Sequence, residues 1–202
     1  MSPQTGALHE IREEERLRAD CYALLARLLA APPTAAILRS VSGLEGGDSV
    51  LGRGLQPLTA AARATTPEAV EDEYFNLFIG VGRGEVVPYA SFHLAGFLYD
   101  RPLAKLRIDM SKLGIARADA VHEPEDHIAA LCEIMSGMIT GAFGEPADLA
   151  TQQRFFDAYL APWAGKFFEE LEAAESAAFF MPVGTIGKLF MEIEAQAFQM
   201  AA

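Results

Sequence analysis

EYFNLFIGVGRGEVVPYAS, residues 73–91, is the stretch that breaks an otherwise helical pattern. It opens as an acidic, aromatic helix end, crosses a loop holding Gly80, Gly82 and Gly84, and re-enters ordered structure at Pro88-Tyr89. Just upstream, Thr66-Pro67-Glu68 is a helix start: a hydroxyl cap, a proline at the first helical position and an acid in the first turn. Helical spacing puts Val70, Tyr74, Leu77 and Phe78 on the inner face of that helix and Glu71, Asp72 and Glu73 largely outside, with Gly80 as its stop. A glycine-dense break between helices is a natural place for function, because loops carry function on a rigid scaffold.

Outward from this break, every segment has the helical period. Toward the N-terminus, Leu17, Cys21, Leu24, Leu25 and Leu28 form one apolar face, which predicts a helix from about residue 8 to Ala30, stopped by Pro32-Pro33. Thr34 caps a short helix ending near Gly43. The segment Gly43 to Gly54 has the composition of a loop, and Leu55, Leu58 and Ala62 mark a further amphipathic piece. Toward the C-terminus, Ser91 to Tyr99 suits a short helix. Pro102 starts one with Leu103, Leu106, Met110 and Leu113 inside and Gly114 at its end. Pro124 starts the helix of Ile128, Leu131, Cys132, Met135 and Ile139, and Pro146 that of Phe155, Phe156, Tyr159 and Leu160. Pro162 kinks or restarts the chain for Phe167, Phe168 and Leu171, and the last helix carries Ile186, Leu189, Phe190, Ile193, Ala197 and Met200. Val86-Val87 is too short for a strand. The expectation is an all-α fold, a single globular multi-helix domain over 1–202 with eight to ten helices around one core.

Composition narrows the function. A chain of 202 residues buries enough surface to need no staple, and the two cysteines, Cys21 and Cys132, sit inside apolar helical patterns as reduced thiols. The charged N-terminus is unlike a secretory signal, and no apolar run reaches the roughly 18 residues of a membrane span. A cytoplasmic protein without stable membrane insertion is expected. Sixteen basic against 28 acidic residues leave a net charge of −12, which repels nucleic acid and attracts a cationic partner such as a basic peptide.

Chemistry-bearing motifs are sparse. Gly80-Val81-Gly82-Arg83-Gly84 follows a helix rather than a strand and lacks the Gly-Lys-Ser/Thr of a phosphate loop, so a sharp turn is the favoured reading. A nucleotide (GTP)-binding regulatory protein using Gly80–Gly84 is the alternative. His122 and His127 are five apart across Pro124 and cannot share a helical face, which argues against metal. Ser91 and His93 form no nucleophile pair, and no enzyme activity and no cofactor of its own are expected. Tyr74, Phe75, Phe78, Tyr89, Phe92, Phe97 and Tyr99 crowd the glycine loop; most suit a core, and a minority could receive an apolar peptide.

Three ordered motifs carry a resemblance. E-Y-x-x-L-F-x-G at Glu73–Gly80, Pro88-Tyr89-x-Ser91 and Glu123-Pro124-x-Asp126-His127 together resemble the TorD/DmsD/NarJ family of maturation chaperones for molybdenum oxidoreductases. The resemblance implies a chaperone that binds the twin-arginine signal peptide and apo form of its client, assists cofactor insertion and proofreads export. The client would be of the formate dehydrogenase or dimethyl-sulfoxide-reductase type, and the chaperone a monomer or domain-swapped dimer hinged after Asp100 or within Gly114–Val121. Carried over by motif, Asp126 and His127 line the signal-peptide site and Glu123 and Pro124 shape its turn. Tyr74, Phe75 and Phe78 supply apolar contacts, and Pro88, Tyr89 and Ser91 hold the adjacent hinge. Glu73–Ser91 would then be one wall of a peptide groove and Glu123–His127 the other.

Overall fold

The computed structural model describes residues 12–118 and 121–201. Residues 8–11 of the expected first helix and 119–120 of the expected hinge lie outside the described residues. Among those described, ten α-helices and one π-helical turn succeed one another without a strand: α1 Glu13–Leu29, α2 Ala35–Ser42, α3 Val50–Ala64, α4 Pro67–Tyr74, the π-turn Phe75–Ile79, α5 Ala90–Ala95, α6 Arg101–Lys112, α7 Ile128–Thr140, α8 Leu149–Tyr159, α9 Ala164–Ala173 and α10 Phe180–Ala201. No helix among them is long and apolar enough to cross a membrane.

Side-chain caps set most of the starts. The Thr34 and Thr66 hydroxyls accept the Ile37 and Ala69 N–H groups at 3.4 and 3.2 Å, as their sequence positions predict. Ser49 accepts the Gly52 N–H at 3.0 Å and begins α3 at Val50, so Gly52 and Gly54 are helical rather than loop. Pro124 and Pro146 stand a few residues early: His127 caps α7 and Asp148 caps α8.

Two helix pairs dominate the packing, α1 on α7 and α9 on α10. Their buried faces merge into one core with Tyr22, Phe156, Phe167, Phe168, Phe180 and Phe190 fully inside. Each such ring stabilises the fold by roughly 1.5–3 kcal/mol through burial. Gly187 lets α10 approach α9 closely, since a Cβ there would stand 2.2 Å from the Phe168 ring. The buried stripe of α10 runs Val183, Ile186, Phe190, Met191, Glu194 and Phe198. Ile193 and Met200, expected inside, face outward, because the true stripe is rotated toward Glu194.

Candidate functional site

The three motifs converge on one connected structure. Tyr89 and His127 form an isolated antiparallel bridge. The Ala90 N–H donates to the Asp126 carbonyl at 3.0 Å and the Ile128 N–H to the Pro88 carbonyl at 2.9 Å. The Asp126 carboxylate accepts the Ser91 N–H at 2.8 Å, and Tyr89 O–H donates to Glu123 Oε2 at 2.5 Å. The second and third motifs are thus zipped together by backbone and side chain. They do not face each other across a groove, which corrects the expectation of two separate walls.

Burial sorts the expected site residues into two groups. Ser91, Asp126, His127, Pro88, Pro124 and Tyr74 are buried, whereas Glu123 and Phe75 are exposed and Tyr89 and Phe78 half-buried. Asp126 holds the start of α5. His127 Nδ1 accepts the Ala129 N–H at 3.1 Å and caps α7, while its ring meets the Tyr89 ring edge-on at 5.1 Å. Asp126 Oδ1 and Ser91 Oγ have no hydrogen-bond partner among the described residues. Glu125 is clamped by Arg107, whose Nε lies 2.9 Å from its Oε2. These bonds give the buried members a framing role.

Burial pulls the His127 imidazole down to about 4, against the raising influence of Glu123 and Asp126. Its ordinary value is near 6.5. The unfolded chain therefore binds a proton that the folded one refuses between those values. The resulting stability is fully present above pH 6.5 and lost as pH falls toward 4, on the order of 2–3 kcal/mol by pH 4.5. His127→Asn, which keeps a capping oxygen and removes the titration, is expected to show a smaller drop between pH 7.5 and 4.5 in urea midpoints. Equal drops in both proteins would exclude His127 as the source.

The first motif is held differently. Glu73, expected on the outer side of α4, is buried: its carboxylate accepts three successive backbone N–H groups where α10 begins, from Ala178 (2.9 Å), Phe179 (3.0 Å) and Phe180 (2.7 Å). Free donors at a helix start favour an anion, which is why a charged residue sits inside here. Tyr74 O–H donates to the Leu29 carbonyl at 3.2 Å, and Phe78 packs between Tyr74 and Phe180 at ring distances of 4.8 and 5.4 Å. Burial, then the charge of Glu123, pushes the Tyr74 phenol up to about 12. Burial and the bond to Glu123 raise Tyr89 further, so both stay protonated donors at neutral pH.

The glycines of the loop serve the turn itself. Gly80 has φ +60°, and a Cβ on it would stand 2.1 Å from the Arg83 carbonyl. The loop folds back on the π-turn, with Glu85 and Val86 N–H donating to the Asn76 and Leu77 carbonyls at 3.2 and 2.8 Å. Arg83 lays its guanidinium 4.7 Å over the Phe92 ring. Beyond the loop, Glu85 binds Ser176 through its hydroxyl and its N–H, so Glu73 and Glu85 grip the approach to α10 from both ends of the loop.

Sequence reasoning missed several anchors. His93 stacks on Trp163 at 4.9 Å and sets its Nε2 2.7 Å from the Val87 carbonyl, tying α5 to α9. Around the frame, Phe75, Ile79, Val81, Phe97, Leu98 and Tyr99 are exposed. Tyr99 alone among the described non-glycine residues has a positive φ, at 61°. An aromatic held in that region is strained, and such strain clusters at functional sites.

Comparisons with known proteins bear on the family and the fold. A family model described as the nitrate reductase delta subunit matches residues 45–169. The chaperone protein TorD of Vibrio atlanticus (strain LGP32) is 24% identical over 132 residues, covering 61% of this chain and 61% of the relative. TorD of Psychrobacter sp. (strain PRwf-1) is 29% identical over 119 residues, covering 56% and 52%. The match spans less than two thirds of these relatives' length. A solved structure described as a redox enzyme maturation protein, from Archaeoglobus fulgidus, shares the fold: TM-score 0.57, 21% identity, 90% of this chain and 94% of that one.

Proposed function

This chain belongs to the nitrate reductase delta subunit family, which includes the TorD/NarJ chaperones, and from that premise we propose that it is a system-specific chaperone of a molybdopterin oxidoreductase. It binds the client's twin-arginine leader and apo form, assists cofactor insertion and holds export back until the client is complete. It works without catalytic turnover, in the cytoplasm. The client is of the formate dehydrogenase or dimethyl-sulfoxide-reductase type.

One observation carries the reading: the zipped motifs present the exposed Glu123 carboxylate beside uncovered apolar side chains, on a chain of net charge −12. A leader is basic and partly apolar, and an acidic surface with uncovered apolar side chains attracts such a peptide and receives part of it. Phe75, Phe78, Tyr89 and Glu123 make direct contacts. Tyr74, Pro88, Ser91, Pro124, Asp126 and His127 hold that surface in place.

The test is a calorimetric titration with a synthetic twin-arginine leader. Glu123→Lys and Phe75→Ser are each expected to weaken binding about tenfold, equivalent to ~1.4 kcal/mol. Both residues are exposed, so helicity by circular dichroism stays unchanged. Wild-type affinity in both variants would remove the motif face from the binding surface.

A further inference from the structure

A second surface, away from the zipped motifs, bears on how the leader is held. Between α1, α2 and α3 runs an apolar groove of about 430 Å³, lined by Leu17, Cys21 and Leu24 from α1, Ile37 from α2 and Leu51 and Leu55 from α3. Leu17 is 57% exposed although it belongs to the apolar stripe of α1. The residues that α1 contributes run from Leu17 to Leu28, eleven steps at 1.5 Å, or about 16 Å of helix. That length suits a helix of about eleven residues, inside the range of a leader's apolar stretch.

The groove is charged unequally at its two ends. Asp20 lines it near Leu17, and Glu13 and Glu14 stand four and three residues before Leu17 on the same helical face, both exposed. Arg27 lines the far end. A cation-fronted apolar helix fits that gradient in one direction, with its positive front by Glu13, Glu14 and Asp20. The macrodipole of such a helix points the same way, its negative C-terminal end toward Arg27. Leu28 lines that far end, and the next residue, Leu29, accepts the Tyr74 hydroxyl at the motif frame.

Resting on the proposed function, we infer that the groove between α1, α2 and α3 seats the apolar stretch of the leader as a helix, with its basic front at the Glu13–Asp20 end. The residues that follow the apolar stretch then leave the groove beside Tyr74 and reach the motif face. This is a helix-in-groove mode of recognition.

Cys21 supplies the probe. It lines the groove half-buried, while Cys132, the other of the chain's two cysteines, is fully buried. Burial, then Asp20 and Glu194, pushes the Cys21 thiol up to about 11, so labelling is slow and is followed by mass spectrometry with a neutral maleimide at pH 8.5. A synthetic twin-arginine leader at ten times its Kd is expected to slow Cys21 labelling about tenfold. Leu17→Asp and Asp20→Lys, both at exposed positions, are each expected to weaken leader binding about tenfold with unchanged helicity. Leader binding that leaves both the Cys21 rate and the Leu17→Asp affinity at wild-type values overturns the groove assignment and leaves the chaperone reading standing. A thiol already shielded without peptide and indifferent to it, whether by residues 1–11 or by a second copy, overturns it equally. No binding of any twin-arginine leader to the wild type removes the reading and the inference together.

Discussion

Glu73→Ala is expected to cost about 3 kcal/mol of folding stability and to lower Tm by about 6–12 °C. The carboxylate serves Ala178, Phe179 and Phe180, three donors that the helix beginning there cannot satisfy within itself. Hydrogen bonds to a charged group contribute about 1.5–3 kcal/mol each when isolated, but three on one carboxylate do not add in full. Glu73→Gln keeps one oxygen and turns an amide N–H₂ toward backbone donors, so roughly half of the loss is expected. Asp72→Ala, at the exposed neighbouring position, is the control and should cost under about 0.5 kcal/mol. Urea unfolding followed by far-ultraviolet circular dichroism gives all three values. A Glu73→Ala loss no larger than that of Asp72→Ala would falsify the clamp. The clamp also explains why an acid opens E-Y-x-x-L-F-x-G, because it ties the end of α4 to a helix about a hundred residues away.

The contrast between Glu73 and Leu77 shows what periodicity can and cannot reveal. Leu77, Val70 and Tyr74 follow the 3.6-residue stripe and are buried as the spacing predicts. Helix existence was legible for the same reason, and hydroxyl caps such as Thr34 and Thr66 gave starts to the residue. A charged residue scores as exposed in any such pattern. Its burial depends on donors presented by a distant segment, here 178–180, and nothing local announces them. Glu194 was hidden in the same way, as were Asp126 and Ser91. At the candidate site the sequence motifs identified which segments meet, and the structure shows how: by backbone pairing at Tyr89 and His127. The division into framing and exposed members was not legible. It depends on solvent exposure, which residue identity at a motif position does not encode. The groove between α1, α2 and α3 is not legible in the sequence, because the helical period gives Leu17, Cys21 and Leu24 the same apolar stripe as the buried Leu25 and Leu28. The pattern marks an apolar face without telling whether another helix covers it.

The other large expected effect lies on the neighbouring face of α1, one residue round from that groove. Arg18 pairs with buried Glu194 of α10 through two bonds of 2.7 Å, Tyr22 O–H donates to the same carboxylate at 2.9 Å, and the Arg18 guanidinium also reaches Gln152 at 3.1 Å. Burial opposes the Arg18 charge, but the bonds and charge of Glu194 outweigh it and hold the guanidinium protonated. Removing one partner strands the other. Glu194→Ala is therefore expected to destabilise by about 3–5 kcal/mol, and Arg18→Ala by a similar amount, since it leaves a carboxylate 1% exposed with only a tyrosine hydroxyl. The double variant Arg18→Met with Glu194→Leu should recover most of either loss, because well-packed apolar residues can replace a buried ion pair at little cost. Urea midpoints of the two singles and the double form a cycle that isolates the coupling. Singles that lose under about 1 kcal/mol, or a double that loses their sum, would show that the pair contributes little. Because Leu17, Cys21 and Leu24 line the groove and Arg18 and Glu194 do not, the cycle also separates anchoring from contact. If the pair only positions α1, the double variant regains leader affinity together with stability, although neither Arg18 nor Glu194 has been restored.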